Sequence, residues 1–196
     1  MMTVRQMQRL WDSRRYTRLV EELTAQRVEG LAAGELASRA SVAAAAWSLI
    51  RLEELNQPQA QLGRTLIRAI LACQEADGGW GDVAVTALCL RALSLWQGQG
   101  NAIERGLNYL AQLQQPEGIW PKIPIRRMAA DPLVSAFVML QLSDHEGFRA
   151  AVDFNAAVNW FRTHAPEMDA AARTLWAHAR PRGSFAVQGT LFQTAN

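Results

Sequence analysis

The sequence predicts an all-α protein, built as a solenoid-like stack of inner and outer helical hairpins. Apolar residues recur at helical spacing along most of the 196-residue chain, and no segment is typical of a β-strand. Segments that are apolar on nearly all sides alternate with segments that carry a single apolar stripe. The stretches QEADGGW and QQPEGIW repeat one pattern 40 residues apart, which indicates an internal repeat.

The first half of the array follows from three apolar segments. SVAAAAWSLIRLEEL is rich in Ala and Leu and contains no Gly, which predicts an inner helix over 41–55. QLGRTLIRAILACQ carries one apolar stripe and predicts an outer helix over 61–73. After the break ADGGWG, DVAVTALCLRALSLWQ predicts an inner helix over 83–97.

The second half repeats this alternation. AIERGLNYLAQLQQ predicts an outer helix over 102–113, and DPLVSAFVMLQL predicts an inner helix over 132–142. AVDFNAAVNWFRTH predicts an outer helix over 150–164, and MDAAARTLWAHA predicts a final inner helix over 168–179. We expect one domain, with residues 38–196 as the repeat array and residues 1–37 as an N-terminal helical segment that packs on it.

Helix caps support this register. Asp82 and Asp131 stand directly before inner helices, where a carboxylate accepts hydrogen bonds from free N–H groups. Pro132 then occupies the favoured first helical position. We expect Ser41 to cap the first inner helix in the same way. The inner helices thus align as SVAAAAW, DVAVTAL and DPLVSAF.

Composition and charge restrict the class of protein. Hydrophobic residues make up 49% and charged residues 19%, which is typical of a globular chain. A net charge of +2 is too small to indicate a nucleic acid or an anionic membrane as partner. Cys73 and Cys89 are too few for a disulfide framework, so we expect both in the core. Without a secretory signal or a membrane span, the expected location is the cytoplasm.

The repeated stretches share four residue types in one order. The first copy contains Gln74, Asp77, Gly78 and Trp80, and the second contains Gln114, Glu117, Gly118 and Trp120. This pattern resembles the QW motif of squalene–hopene cyclases and related terpenoid cyclases, whose α/α-toroid fold is shared with protein prenyltransferase β subunits. The resemblance covers residues 38–180 and implies a partial α/α toroid. It also implies that residues 74–80 and 114–120 are structural, and we name them the first and second clasp.

The resemblance does not extend to the catalytic acid. Class II terpenoid cyclases protonate an alkene with the middle Asp of D-x-D-D-T-A. Residues 82–87 align with that motif as DVAVTA, which places Ala84 and Val85 where the two acids are needed. No proton donor remains there, so Asp82 is interpreted as a helix cap.

A metal site of the prenyltransferase kind is not predicted either. Asp131 is followed by Pro132 and Leu133, so the Asp-x-Cys pair is missing, and the three histidines show no ligand spacing. The chain has no D-D-x-x-D, phosphate-binding loop or G-x-S-x-G. We therefore expect no metal, no cofactor and no catalytic residue.

Two regions are candidates for binding. An incomplete ring exposes the apolar inner wall, and it needs cover from the N-terminal helices, a second copy, a partner or a lipid. The predicted wall residues are Trp47, Leu88, Phe137 and Trp176. The other candidate is the connection over 121–130, which is nine residues longer than its counterpart and suits an anionic or acidic partner. Its cations are Lys122, Arg126 and Arg127.

Two functions remain open. The first is a non-catalytic, toroid-derived module that binds a protein partner or forms a homodimer. The second is an enzyme or carrier that handles an isoprenoid or another apolar small molecule, as the resemblance implies and as seven Trp and six Phe would allow. The missing acid and metal ligands favour the first.

Overall fold

The structure is a computed structural model that describes residues 39–55, 60–96, 99–125 and 128–179. Within these ranges the chain forms eight helices and no strand, which confirms the all-α prediction. The helices are α1 (Arg39–Glu54), α2 (Ala60–Ala72), α3 (Val83–Ser94), α4 (Gly100–Leu113), α5 (Pro132–Leu142), α6 (Glu146–Ala151), α7 (Phe154–His164) and α8 (Ala170–Ala179). None of them combines the length and the apolarity that a membrane crossing requires.

The helices pack in a repeating order. Helices α1, α3, α5 and α8 lie side by side in chain order, α2 packs on α1, and α4 packs on α3. The ring of Phe161 on α7 stacks on Trp176 of α8, with 4.6 Å between the centroids. This order agrees with the predicted helical repeat. The segment 1–37 and the residues after 179 lie outside the described ranges.

Two details of the predicted elements are wrong. Helix α1 begins at Arg39, so Ser41 lies inside its first turn and does not precede it. The segment predicted as one helix over 150–164 is interrupted at Val152. The short helix α6 ends at Ala151, before the interruption, and α7 begins at Phe154, after it. The interruption has a local cause, because Asp153 Oδ1 accepts a hydrogen bond from Ala156 N at 2.9 Å and begins a new helix.

Burial separates the two sets of helices as the hydrophobic pattern predicts. Helix α3 buries eight of its twelve residues, so neighbours cover it from several directions. Helix α4 buries a single stripe, which consists of Gly106, Leu107, Tyr109, Leu110 and Leu113. Burying each such leucine contributes about 1.5–3 kcal/mol, so the core holds both sets together.

Aspartate caps begin three of these helices in the same way, so equivalent positions can be counted from the caps. Asp82 Oδ1 accepts from Val85 N at 2.8 Å, and Asp131 Oδ1 accepts from Val134 N at 3.0 Å, which confirms both predicted caps. Asp169 Oδ1 accepts from Ala172 N at 2.7 Å at the start of α8. Counted from these caps, Leu175 on α8 corresponds to Leu88 and Phe137, and Trp176 corresponds to the fully buried Cys89.

Candidate functional site

Each clasp is centred on a buried tryptophan that bonds the helix before it. Trp80 Nε1–H donates to Ile70 O at 2.7 Å, and Trp120 Nε1–H donates to Leu110 O at 2.8 Å. Both indoles are at most 2% exposed. The two acceptors precede their tryptophans by the same number of residues, so both clasps close on the same turn of the preceding helix.

The same tryptophans also bond the helix that follows. Trp80 N donates to Thr86 Oγ1 on α3 at 3.0 Å, and Trp120 N donates to Ser135 Oγ on α5 at 2.8 Å. Thr86 and Ser135 occupy equivalent positions after their aspartate caps and are fully buried. Each tryptophan therefore joins two consecutive helices at one point.

The clasp glutamines reach a third helix. Gln74 Nε2 donates to Gly78 O and to Ala102 O on α4, both at 2.9 Å. The guanidinium of Arg105 donates to Gln74 Oε1. The first clasp thus fixes the beginning of α4 against the end of α2.

The glutamine of the second clasp makes an equivalent set of hydrogen bonds. Gln114 Nε2 donates to Gly118 O at 2.8 Å and to Asp153 O at 3.0 Å. In return, Asp153 N donates to Gln114 Oε1 at 2.8 Å, so backbone takes the place that Arg105 has in the first clasp. Asp153 is the cap of α7, and the second clasp therefore fixes the beginning of that helix.

The first glycine of each clasp permits a backbone-to-backbone contact. Gly78 and Gly118 have φ angles of +93° and +92°, which residues with a side chain rarely adopt. A Cβ at 78 would lie 2.5 Å from Arg105 O, and a Cβ at 118 would lie 2.3 Å from Ala157 N. The acidic positions differ, since Asp77 Oδ1 accepts from Gly79 N at 2.9 Å whereas Glu117 is simply exposed. The arrangement is a joint between hairpins.

The cap position before α3 offers no acid for catalysis. Asp82 Oδ1 is bonded to Val85 N, and the hydroxyl of Thr86 is taken by Trp80. Ala84 and Val85, which align with the cyclase acids, are apolar and half-buried. An alkene-protonating carboxylic acid therefore has no counterpart at this place.

No metal site is found among the described residues, where no three His, Cys, Asp or Glu side chains come close enough to share an ion. His145 Nδ1 accepts from Phe148 N at 3.0 Å and caps α6, and the ring of His164 stacks on Trp160 at 4.4 Å. His178 Nδ1 bonds Thr174 O within α8.

The two cysteines lie in the core region and are not joined by a disulfide. Cys89 is fully buried, and Cys73 is half-buried at the end of α2. Burial raises the pKa of both thiols, which disfavours the thiolate needed for metal binding or nucleophilic attack.

The predicted wall residues do not form one exposed surface. Leu88 and Trp176 are buried, so neither side chain contributes to an exposed wall. Trp176 faces the core because it follows Leu175 by one residue, which turns it toward Phe161. Trp47 on α1 is 40% exposed, and Phe137 on α5 is half-buried.

The long connection carries exposed apolar side chains. Ile123 is 48% exposed and Ile125 is 53% exposed, and Met128 and Leu133 are exposed as well. Lys122 is exposed, whereas Arg126 and Arg127 lie outside the described residues. We call five of the described side chains of this region, Lys122, Ile123, Ile125, Met128 and Leu133, the 121–133 surface. Met128 and Leu133 were not among the binding candidates predicted from the sequence, although Met128 lies in the same connection as Ile123 and Ile125.

The connection is closed at its base, and a backbone bond joins two of its described residues. Pro121 and Ala130 form an isolated bridge, and Asp131 N donates to Trp120 O at 2.8 Å. Met128 N donates to Ile125 O at 2.9 Å inside the loop. The described side chains of the loop are therefore presented on a base that the second clasp fixes.

A shallow groove of about 250 Å³ lies beside the first clasp. Leu71, Gln74, Gln99, Asn101, Ala102 and Arg105 line it. Sequence reasoning missed this groove, which exists because the clasp brings the ends of α2 and α4 together. Gln74 and Arg105 are bonded to each other there, so the groove belongs to the joint.

Comparison with known proteins gives no independent support for a family. No family model matches the chain, and neither a curated protein nor a solved structure matches it. The resemblance to terpenoid cyclases therefore rests on the residues of the two clasps alone.

Proposed function

We propose that the protein is a non-catalytic binding module on a partial α/α toroid of the terpenoid cyclase kind. It acts by contacting a macromolecule, either a protein partner or a second copy of itself. The toroid is supported by the two clasps, whose tryptophan, glutamine and glycine contacts repeat from one hairpin to the next. It is also supported by the side-by-side order of α1, α3, α5 and α8.

The observation that carries the binding function is the 121–133 surface. Four large apolar side chains are 40–53% exposed in one connection and the first turn of the next helix. Exposed apolar side chains grouped in this way are typical of an interaction site, and long connections on repeat arrays often bind. The non-catalytic assignment is supported by Ala84 and Val85 at the place of the cyclase acids.

A second candidate function is the handling of an apolar small molecule. Trp47 on α1 is 40% exposed and Phe137 on α5 is half-buried, so both keep some accessible aromatic surface. Aromatic side chains of this kind can line a site for an isoprenoid.

Site-specific photo-crosslinking tests the proposal. A benzophenone amino acid is placed at position 125 of the 121–133 surface, and in a control chain at position 55. Leu55 is also an exposed apolar residue, but it lies at the end of α1. After irradiation in the cells that naturally make the protein, position 125 should give a discrete protein adduct and position 55 only background.

The outcomes separate the two functions. Equal adducts from both positions, or none from either, would refute binding through the 121–133 surface. The benzophenone amino acid is also placed at position 47, in a third chain. An adduct there with an apolar small molecule, identified by mass spectrometry, would favour the second candidate.

A further inference from the structure

We infer that Asp77 in the first clasp is a site of isoaspartate formation, a spontaneous rearrangement of its peptide bond to Gly78, and that the closed clasp holds this reaction back. The inference is independent of the proposed function, because it concerns the joint and not the 121–133 surface. Asp77 is the only aspartate in the sequence that a glycine follows, and no asparagine is followed by a glycine. Glycine has no Cβ to shield its amide, so an aspartate rearranges most readily beside it.

The reaction needs only the aspartate side chain and the next backbone amide. The nitrogen of Gly78 attacks Cγ of the protonated Asp77 carboxyl group. A bond from nitrogen to Cγ forms, the bond from Cγ to the hydroxyl oxygen breaks, and water leaves with the amide proton. Water then adds to the main-chain carbonyl carbon of the succinimide and breaks the original bond from that carbon to nitrogen. The main chain now runs through Cβ and Cγ of Asp77, and no atom has been gained or lost.

The closed clasp engages the nucleophile of this reaction. The Asp77 side chain is exposed and folds back along the chain, since its Oδ1 accepts from Gly79 N at 2.9 Å. Gly78, in contrast, is buried, and its N–H donates to Glu75 O at 3.0 Å. The carboxyl group is therefore accessible while the amide that must attack it is bonded elsewhere. Ring closure then requires the clasp to open locally.

A rearranged chain cannot close the first clasp again. The main chain gains a carbon between positions 77 and 78, at a point where even a Cβ on Gly78 would lie 2.5 Å from Arg105 O. The same change displaces Gly78 O, which accepts from Gln74 Nε2 at 2.9 Å. It also removes the Asp77 side chain that accepts from Gly79 N. Opening of the first clasp thus becomes permanent once the reaction has taken place.

The second clasp has the same joint without the reactive pair. Glu117 occupies the position of Asp77, and its longer side chain would have to close a six-membered ring, which forms far more slowly than the five-membered succinimide. Gly118 N donates to Gln115 O at 2.8 Å, as Gly78 N does to Glu75 O. The second clasp is therefore an internal control for the first.

Peptide mapping of the aged protein tests the site. The purified full chain is incubated at neutral pH, denatured and digested with Asp-N protease, which cuts before aspartate but not before isoaspartate. Mass spectrometry should show a growing uncut fraction at Asp77 and a much smaller one at Asp153, which is also exposed but precedes Phe154. Asp77→Glu copies the second clasp, and it should lower the labelling of the aged chain by an isoaspartyl methyltransferase.

A matched pair of variants tests the protection. Gln74→Ala removes the bonds to Gly78 O and Ala102 O in the first clasp, and Gln114→Ala removes the equivalent bonds in the second. Because ring closure is slow relative to opening, its rate follows the population of the open clasp. Gln74→Ala should therefore accelerate isoaspartate formation at position 77 by about fivefold or more. Gln114→Ala should leave that rate close to the wild-type value.

Circular dichroism verifies that both variants are folded. Arg105→Ala removes only the bond to Gln74 Oε1, so it is the milder variant and decides the question if Gln74→Ala does not fold. It should also accelerate the reaction at position 77.

Three results would overturn the inference. Aged wild type without isoaspartate at Asp77, or with as much at Asp153, would show that the first clasp is not the site. Equal rates in wild type and Gln74→Ala would show that the closed clasp does not protect it. Equal acceleration by Gln74→Ala and Gln114→Ala would assign the reaction to global unfolding. None of these results affects crosslinking from position 125, so the proposed function is tested separately.

Discussion

At the scale of single residues, the clasp tryptophans combine burial with a complete set of hydrogen bonds. Trp120 is fully buried, its indole N–H is bonded to Leu110 O, and its backbone N–H is bonded to Ser135 Oγ. The ring of Phe148 lies 5.9 Å from it, so an aromatic neighbour covers it as well. An indole placed in this way stabilises the fold through both its area and its donor.

Truncation of either indole should therefore destabilise the protein strongly. Trp80→Ala and Trp120→Ala are each expected to lower the free energy of unfolding by about 3–5 kcal/mol, because each leaves a large cavity and removes a buried hydrogen bond. Urea denaturation at constant pH measures the loss. Trp47→Ala is the matched control, and its loss should be clearly smaller because that side chain is 40% exposed. Equal losses for Trp47 and Trp120 would contradict the role of the clasp.

Clasp variants that remain folded should retain binding by the 121–133 surface.

His145 should make stability depend on pH. Burial lowers the pKa of His145 below its ordinary value of 6.5, and its neutral Nδ1 accepts from Phe148 N. The unfolded chain then binds a proton first as the pH falls. This contribution is fully present above pH 6.5 and is lost as the pH falls through the lower pKa of the folded state.

Thermal unfolding of wild type and His145→Asn across this range measures the effect. Asn can still accept the bond at the helix cap but does not titrate, so its loss of stability on acidification should be smaller. The same pH dependence in both proteins would show that His145 is not responsible.

Sequence alone predicted the caps and the tryptophans better than it predicted exposure. Asp82, Asp131 and the clasp tryptophans act through contacts with the helices that directly precede or follow them in the chain, and the local sequence pattern is sufficient to predict such residues. The burial of Leu88 and Trp176 depends on which neighbouring helix covers them. Since that depends on the rotation of packed helices, residue type does not determine it.

At the scale of elements, the hydrophobic period predicted seven of the helices to within a few residues at each end. Helix α5 has the predicted limits, because Asp131 and Pro132 fix its beginning. The exception is α6, whose six residues are too short to show a period. Its presence follows from two caps, His145 before it and Asp153 after it, and a histidine cap is not an expected sequence signal.

The glycine joints provide a test of how these elements are held together. Gly78→Ala and Gly118→Ala should each cost at least about 1–3 kcal/mol, because the positive φ is strained for Ala. The new Cβ would also lie 2.5 Å from backbone of α4 in Gly78→Ala and 2.3 Å from backbone of α7 in Gly118→Ala. Gly100→Ala is the control, since nothing lies within 4 Å of its Cβ position at the start of α4. That change should be neutral or stabilising by up to about 1 kcal/mol.

Chemical denaturation of the three variants decides between a joint and a simple turn. If Gly78→Ala and Gly118→Ala were as stable as Gly100→Ala, the close backbone contact of the clasps would not exist in solution.

At the scale of the whole molecule, the clasps link consecutive hairpins. The sequence lacks the acidic motif by which terpenoid cyclases, the family that the clasps resemble, protonate their substrate. Each clasp bonds the helix before it, the helix after it and the beginning of the next hairpin's second helix. The prediction of a partial toroid rests on this repeated scheme, which is a structural likeness and does not define an activity.

Purified protein should accordingly show no cyclisation of squalene or geranylgeranyl diphosphate and no stoichiometric zinc. Asp82→Asn should fold normally, because the amide oxygen of Asn can accept the bond from Val85 N. Product analysis by mass spectrometry and metal analysis of the purified chain provide the measurements. Turnover in the wild type that disappears in Asp82→Asn would assign Asp82 to catalysis and contradict its role as a cap.

The second clasp also shows how this chain can change its length without changing its architecture. The bond from Trp80 N to Thr86 Oγ1 spans six residues, whereas the equivalent bond from Trp120 N to Ser135 Oγ spans fifteen. The nine additional residues leave the array at Pro121 and return at Ala130, and α5 still begins in the same register. Since a longer loop adds little closure entropy, further residues inserted here should leave the helices in place. The connection is thus a natural point for grafting a foreign loop or a small domain onto the array.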